Sequence, residues 1–177
     1  ILAIYDRDFA SQYKGIVDLI IKDYANHERN DISFPFLRGF DVYEGHSWAN
    51  GANNTDDRGN DQESSSEAMN AWAGIYLWGI ATGDQNLIDL GTYGYLTEYS
   101  AIREYYFDVD GSVYNNIYIG GGILYESQTS YGVHWSTNKS QEIMGIWILP
   151  LTPSMLYLGY ETETNYQKNY YDRMYAI

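Results

Sequence analysis

The chain contains no cysteine, which excludes a disulfide framework and any thiolate metal centre. Basic residues are scarce: ten Lys and Arg stand against 24 Asp and Glu, for a formal net charge of −14. Nucleic acids and anionic membrane surfaces demand basic patches, so neither is an expected partner, whereas a neutral polysaccharide meets no such conflict. Long apolar runs are missing too. The longest, Ile143 to Leu151, is interrupted by Gly145 and Pro150 and falls far short of the roughly 20 residues that span a bilayer. Several chemical signatures are also wanting. Gly120-Gly121-Gly122 lacks the Gly-Lys-Ser/Thr ending of a phosphate loop. Ser64, Ser65 and Ser66 have no Gly-x-Ser-x-Gly elbow for nucleophilic catalysis. Asp108, Asp110 and Gly111 begin like a calcium loop, but the later ligands are absent, so they read as a turn.

What is present is a chain of 177 residues, 45% hydrophobic, long enough for one domain with a sizeable core. Twenty Tyr and five Trp outnumber the five Phe, so the aromatic excess lies in rings with a polar handle. Such rings stack on sugar faces, and they also sit half buried on any wet, loop-rich fold. The chain opens apolar, Ile1-Leu2-Ala3-Ile4-Tyr5, without an initiator Met or a basic leader, and closes inside a helix-like stretch, Asn165–Ile177. Both ends read as cuts through helices, so the expectation is a piece of a longer protein.

The apolar pattern predicts a helix from a cap at Asp8 to about Asn26, with Phe9, Tyr13, Ile16, Ile20 and Tyr24 as its core stripe. Residues His27 to Asp61 hold Pro35, four Gly and many Asn and Asp, and read as a long, functional loop. A second helix is expected from about Ser64 to Ala81, stopped at Thr82-Gly83-Asp84, and a third from Gln85 to Phe107. Gly91 and Gly94 weaken the middle of the third. Val113 to Trp135 suggests short strands or an elaborated loop, and further helices are expected at Gln141–Leu149, Ser154–Leu158 and from Glu163 onward. Short links imply antiparallel helical hairpins. Roughly six helices are about half of what a closed toroid of helix pairs requires.

Two segments carry chemistry. In Gln62-Glu63-Ser64-Ser65-Ser66-Glu67, two carboxylates lie four residues apart. On a helix they would share one face, about 6 Å apart at Cβ, and carboxylate pairs are the working parts of glycoside hydrolysis. The same residues spell a capping box, Ser64 capping and Glu67 reaching back. Spacing alone leaves both readings open. The second segment is Phe40-Asp41-Val42-Tyr43-Glu44-Gly45-His46-Ser47-Trp48-Ala49. Its Asp, Glu, His, Tyr and Trp supply acceptors, a switchable donor and stacking rings for a sugar, or a polar loop anchored by Trp48. His134-Trp135 and Glu142 are weaker cleft candidates, a lone His-Trp on a loop being more often structural.

Taken together, Phe-Asp-x-Tyr-x-Gly-His-Ser-Trp-Ala and, about twenty residues on, Gln-Glu-Ser-Ser-Ser-Glu-Ala-x-Asn-Ala resemble the central signature of glycoside hydrolase family 81. Leu77-Trp78-Gly79, Glu104-Tyr105-Tyr106 and Leu149-Pro150-Leu151-Thr152-Pro153 extend the likeness. The resemblance implies an all-α fragment, about half of an (α/α)6 barrel of helical hairpins, with an N-terminal β-rich domain and the rest of the barrel outside the chain. It implies endo-hydrolysis of 1,3-β-glucan with inversion, no metal or organic cofactor, and an extracellular or cell-wall setting. It maps the general base onto Glu63, its support onto Glu67, and substrate contacts onto Asp41 and His46. Tyr43, Glu44, Trp48 and Gln62 join them as expected substrate contacts from the same two segments. The family's general acid, an Asp in a His-rich aromatic segment, has no counterpart here and is expected upstream of Ile1. Asp61 stands where the family usually has Asn. A glucan-binding receptor on the same scaffold and a capped helical scaffold without a sugar site are the rival readings.

Overall fold

The computed structural model describes residues 1–49, 59–109, 111–113, 120–126, 128–137, 140–154 and 168–172. Helices dominate: α1 (Leu2–Tyr5), α2 (Arg7–Ala25), α3 (Ser65–Thr82), α4 (Gln85–Ala101) and α5 (Ser140–Ile148). Residues 168–172 are also helical, inside the stretch expected to form the last helix. The expected Ser154–Leu158 helix lies mostly outside the described residues, as do Asp110 and the stretch 114–119.

The first helix boundary needs correction. Asp6, not Asp8, caps α2, its side chain accepting the amides of Asp8 and Phe9. The stripe that faces the core also differs. Ala10, Ile21 and Ala25 are buried, while Tyr13, Ile16 and Ile20 are exposed together with Leu19. The helix is apolar on two faces and the described residues cover only one, so period alone could not say which.

Helices α3 and α4 form the central antiparallel hairpin, and the sequence dictates its sharp turn. Gly83 adopts φ +70 beyond the end of α3, and Asp84 N–H returns to the Gly79 carbonyl at 2.9 Å. Asp84 then caps α4 through the amides of Asn86 and Leu87. Gly91 and Gly94, which weaken the helix by propensity, are the reason the pair fits. A Cβ at Gly91 would lie 2.5 Å from the Tyr76 amide nitrogen, and one at Gly94 2.2 Å from the Trp72 ring.

The single third helix expected to run to Phe107 is α4 followed by a π-helical turn, Ile102–Phe107. The wider turn frees carbonyls that other segments claim. Gly121 N–H donates to Tyr106 O at 2.6 Å and Thr129 Oγ1 to Tyr105 O at 2.7 Å. Among the described residues there are three antiparallel hairpins: β1 (Phe40–Asp41) with β2 (His46–Ser47), β3 (Ile123–Tyr125) with β4 (Gln128–Ser130), and β5 (Gly132–Val133) with β6 (Ser136–Thr137). The first lies within the long loop, the others in the Gly- and Tyr-rich segment.

Two buried clusters hold the hairpin between them. Trp72, Phe40, Leu87 and Leu90 join α2, α3, α4 and the loop. Met69, Tyr106, Leu124, Ile143 and Trp147 join α3, the π turn, β3 and α5. Three tethers account for the first and third serines and the Asn of the central motif. Ser64 Oγ accepts the Glu67 amide at 3.3 Å, starting α3. Ser66 Oγ donates into the end of α5 at Ile146 O (2.8 Å) and Leu149 O. Asn70 binds Pro150 O and receives Thr152 and Ser154. Among the described residues no helix is long and apolar enough to cross a membrane.

Candidate functional site

The segment Asp61–Ser64 approaches α3 in extended form because three neighbours pin its backbone. Gln62 exchanges N–H and C=O bonds with Leu124 of β3, both at 2.9 Å, and its carbonyl also accepts the Tyr106 hydroxyl at 2.6 Å. Ala49 N–H donates to Asp61 O at 2.9 Å, joining the end of the β2 segment. Glu63 is therefore outside the helix, one residue before the Ser64 cap. The expectation that Glu63 and Glu67 share a helical face does not hold, since the bridge to β3 overrides the helical spacing.

Glu63 is half-buried, and its Oε1 accepts the His134 amide at 2.5 Å. The His134 ring turns toward Asp61, Nε2 to Oδ2 at 3.4 Å, and Asp61 is fully buried. His134 thus links both acidic residues and belongs to the site. A signal for it was legible in the aromatic pair His134-Trp135; Trp135, beside it on the β5–β6 turn, is 64% exposed. Glu142, the other weak candidate, lies half-buried in the first turn of α5.

Glu67 is exposed on the first turn of α3. Half of the capping box exists. Its return bond does not, because Ser64 N–H donates to Gln62 Oε1 at 3.0 Å.

The β1–β2 hairpin divides its residues between surface and interior. Asp41 is half-buried and closes the turn, Oδ1 accepting Tyr43 N–H (2.7 Å) and Glu44 N–H (3.1 Å). Tyr43 is 92% exposed. Glu44 lies against the Tyr105 phenol, which burial and then the Glu44 charge push above its ordinary range. Trp48 is half-buried with its ring edge-on to His46, centroids 4.7 Å apart.

Two expected substrate contacts are instead interior. His46 is fully buried, with both ring nitrogens 2.9 Å from backbone carbonyls, Nδ1 at Ser47 O and Nε2 at Glu126 O. Gln62 is 3% exposed, and its amide is consumed by Ser47 and Ser64. Both brace the site from behind, His46 and Ser47 being the polar residues that the hairpin buries.

Behind Ser47 lies Glu98 of α4, a residue outside the expected site. Its carboxylate is fully buried and accepts Ser47 N–H (3.0 Å), Ser47 Oγ–H (2.8 Å) and Trp72 Nε1–H (2.7 Å). Burial pushes this carboxyl above its ordinary range, while the donors and the charge of the His46 ring pull against that. Its position was legible: Leu87, Gly91, Gly94, Glu98 and Ala101 form one helical stripe on α4, and all are buried.

Among the described residues no group of three or more His, Cys, Asp or Glu could hold a metal ion. An apolar groove between α2 and α3, lined by Ile20, Ile21, Ile75 and Trp78, includes none of the site residues.

The α3–α4 hairpin carries an acidic, aromatic-rimmed loop region, the layout of a helical enzyme domain fragment, and comparison names the family. Residues 1–176 match the glycosyl hydrolase family 81 C-terminal domain, and the chain belongs to that family. It is 45% identical, over 98% of its length, to a glucan endo-1,3-β-D-glucosidase of Acetivibrio thermocellus, covering 22% of that protein. It is 35% identical, over 79% of its length, to the primary septum glucan endo-1,3-β-D-glucosidase of Schizosaccharomyces pombe, covering 14% of it. A point variant of a family 81 glycoside hydrolase from Clostridium thermocellum superposes with a TM-score of 0.88 at 42% identity, over 98% of this chain and 24% of that one. The chain thus spans about a fifth of the length of the relatives it matches.

Proposed function

We propose that the protein carrying this chain hydrolyses internal 1,3-β-glucosidic linkages of 1,3-β-glucan with inversion, Glu63 acting as general base. The observation that carries the reading is the setting of Glu63. It is half-buried, its Oε1 is fixed by the His134 amide, and its backbone segment is pinned to β3. A carboxylate so held can take a proton from a water aimed at the anomeric carbon without reorganising. Its partner acid is an aspartate in the sequence preceding Ile1, on the other face of the sugar, the two carboxyls about 6.5–9.5 Å apart to leave room for the water. Glu67 supports the base by orienting that water. Exposed Tyr43 and Trp135 offer stacking faces, and Asp41, Glu44 and Trp48 line the approach. The bare apolar face of α2 fits a toroid of six helix pairs closed by helices outside this chain. A cell-wall polymer as substrate places the protein outside the cell or in the wall.

The names of the matched relatives support the substrate class, and this chain retains the glutamates of the motif. A non-catalytic glucan receptor is the second reading, distinguished by the upstream acid. The test is time-resolved NMR of laminarin with the whole protein. The α-anomer of a new reducing end should appear first, with oligosaccharides of mixed length. Retention of configuration, release of glucose alone, or binding without cleavage would overturn the reading.

A further inference from the structure

The buried groups behind Glu63 form a hydrogen-bond chain whose direction is determined by its ends. At one end, Ser64 N–H can only donate, so the Gln62 atom 3.0 Å away is the amide oxygen. The Gln62 NH2 therefore faces Ser47, meeting Oγ at 2.7 Å and the carbonyl at 3.2 Å. Ser47 Oγ, accepting there, passes its own proton to Glu98 Oε1 at 2.8 Å. Glu98 ends the chain as an acceptor only, taking Ser47 N–H and Trp72 Nε1–H on its other oxygen. Tyr24, packed beside the cluster, stays a neutral hydroxyl, because burial followed by the Glu98 charge pushes its phenol above its ordinary range.

His46 supplies the compensating charge. Carbonyl oxygens accept and never donate, so two of them at 2.9 Å require a proton on both ring nitrogens. A fully buried imidazolium alone would be costly. Opposite charges joined through Ser47 make the cluster neutral.

We propose that Glu98 and His46 are positioning residues for Glu63, acting as a buried ion pair that fixes the polarity of the Ser47–Gln62 relay and thereby the segment on which Glu63 stands. The inference rests on the catalytic reading of Glu63 only for its kinetic consequence.

The experiment uses the whole protein with Glu98→Gln, Ser47→Ala and, as a packing control from the same core, Leu90→Ala. Glu98→Gln puts a donor where Ser47 Oγ–H needs an acceptor and so breaks the relay at that link; Ser47→Ala cuts it while keeping the buried charge. Both should lower kcat on laminarin about 10- to 100-fold, the scale of a misplacement of order 1 Å. KM should stay within about twofold, since no substrate contact is removed. Leu90→Ala should lower the melting temperature without that kcat loss. In 15N-histidine-labelled protein, the His46 ring should show two N–H protons, and Glu98→Gln should lose one. A single N–H proton on His46 in the parent overturns the proposal, as does a kcat loss in the relay variants no larger than in Leu90→Ala. If the parent does not cleave 1,3-β-glucan, the functional reading fails, and the His46 protons alone decide whether the buried pair exists.

Discussion

Gly94→Ala sets the local and tertiary arguments against each other with opposite signs. In a helix interior, Ala is favoured over Gly by about 1 kcal/mol, so propensity expects stabilisation. The structure expects the reverse. An added Cβ would sit 2.2–2.6 Å from three atoms of the Trp72 indole. That ring cannot retreat: it is fully buried, with Tyr24 and Phe40 each at 5.3 Å between centroids, and its Nε1 is tied to Glu98. Overpacking of this kind costs about 1–3 kcal/mol, and straining the buried Trp72 Nε1–H bond puts a further ~1–3 kcal/mol at risk. After the propensity gain, a net loss of about 1–5 kcal/mol follows, read as a lower urea midpoint at unchanged m-value. Gly74→Ala is the matched control on α3. Nothing lies within 4 Å of its added Cβ, so it should gain up to about 1 kcal/mol. A stabilised Gly94→Ala would refute the claim that α3 and α4 touch through this glycine.

Ser66→Ala should cost about 1–3 kcal/mol, because it strands the Ile146 and Leu149 carbonyls. Ser65→Ala should be neutral or stabilising, since the buried Ser65 Oγ has no hydrogen-bond partner among the described residues. The opposite order in urea titrations would contradict the tethers described. Trp135→Ala should raise KM for laminarin roughly 2- to 10-fold with kcat nearly intact, the ~0.5–1.5 kcal/mol of one stacking face; steady-state kinetics decides. Burial raises the phenols of Tyr24 and Tyr170 above the ordinary 10.0. Their contribution to stability is whole below pH ~10, where the unfolded phenols are neutral, and is lost as pH rises toward the folded values. Tyr170→Phe should therefore lose less stability between pH 9 and 11 than the parent, measured by urea midpoint.

Local signals placed the helical frame well. The Ser64 cap and the Thr82-Gly83-Asp84 stop bound α3 and the start of α4 within a residue or two of the expected positions, while the end of α4 comes six residues early, at Ala101. What escaped was decided by distant contacts. Glu63 reads as helical by spacing, yet the ladder to Leu124, sixty residues on, holds it extended. His46 and Gln62 carry polar groups suited to sugars, yet backbone carbonyls of Ser47 and Glu126 hold the one, and Ser47 and Ser64 the other, in the interior. Tyr13, Ile16 and Ile20 fit a core stripe by period, while α3 covers the other face of α2. Glu98 was the one miss with a usable clue, a carboxylate on a stripe of leucine and glycine.

The catalytic claim for Glu63 is tested most directly by comparing Glu63→Gln with Glu67→Gln in the whole protein on laminarin. The amide keeps the shape and still accepts the His134 N–H, so binding and melting temperature should be nearly unchanged. Turnover should fall by at least ~10²–10⁴-fold, the worth of a lost general base. Glu67→Gln should impair turnover less. Near-normal turnover by Glu63→Gln would contradict the account and leave the motif as the cap of a helix.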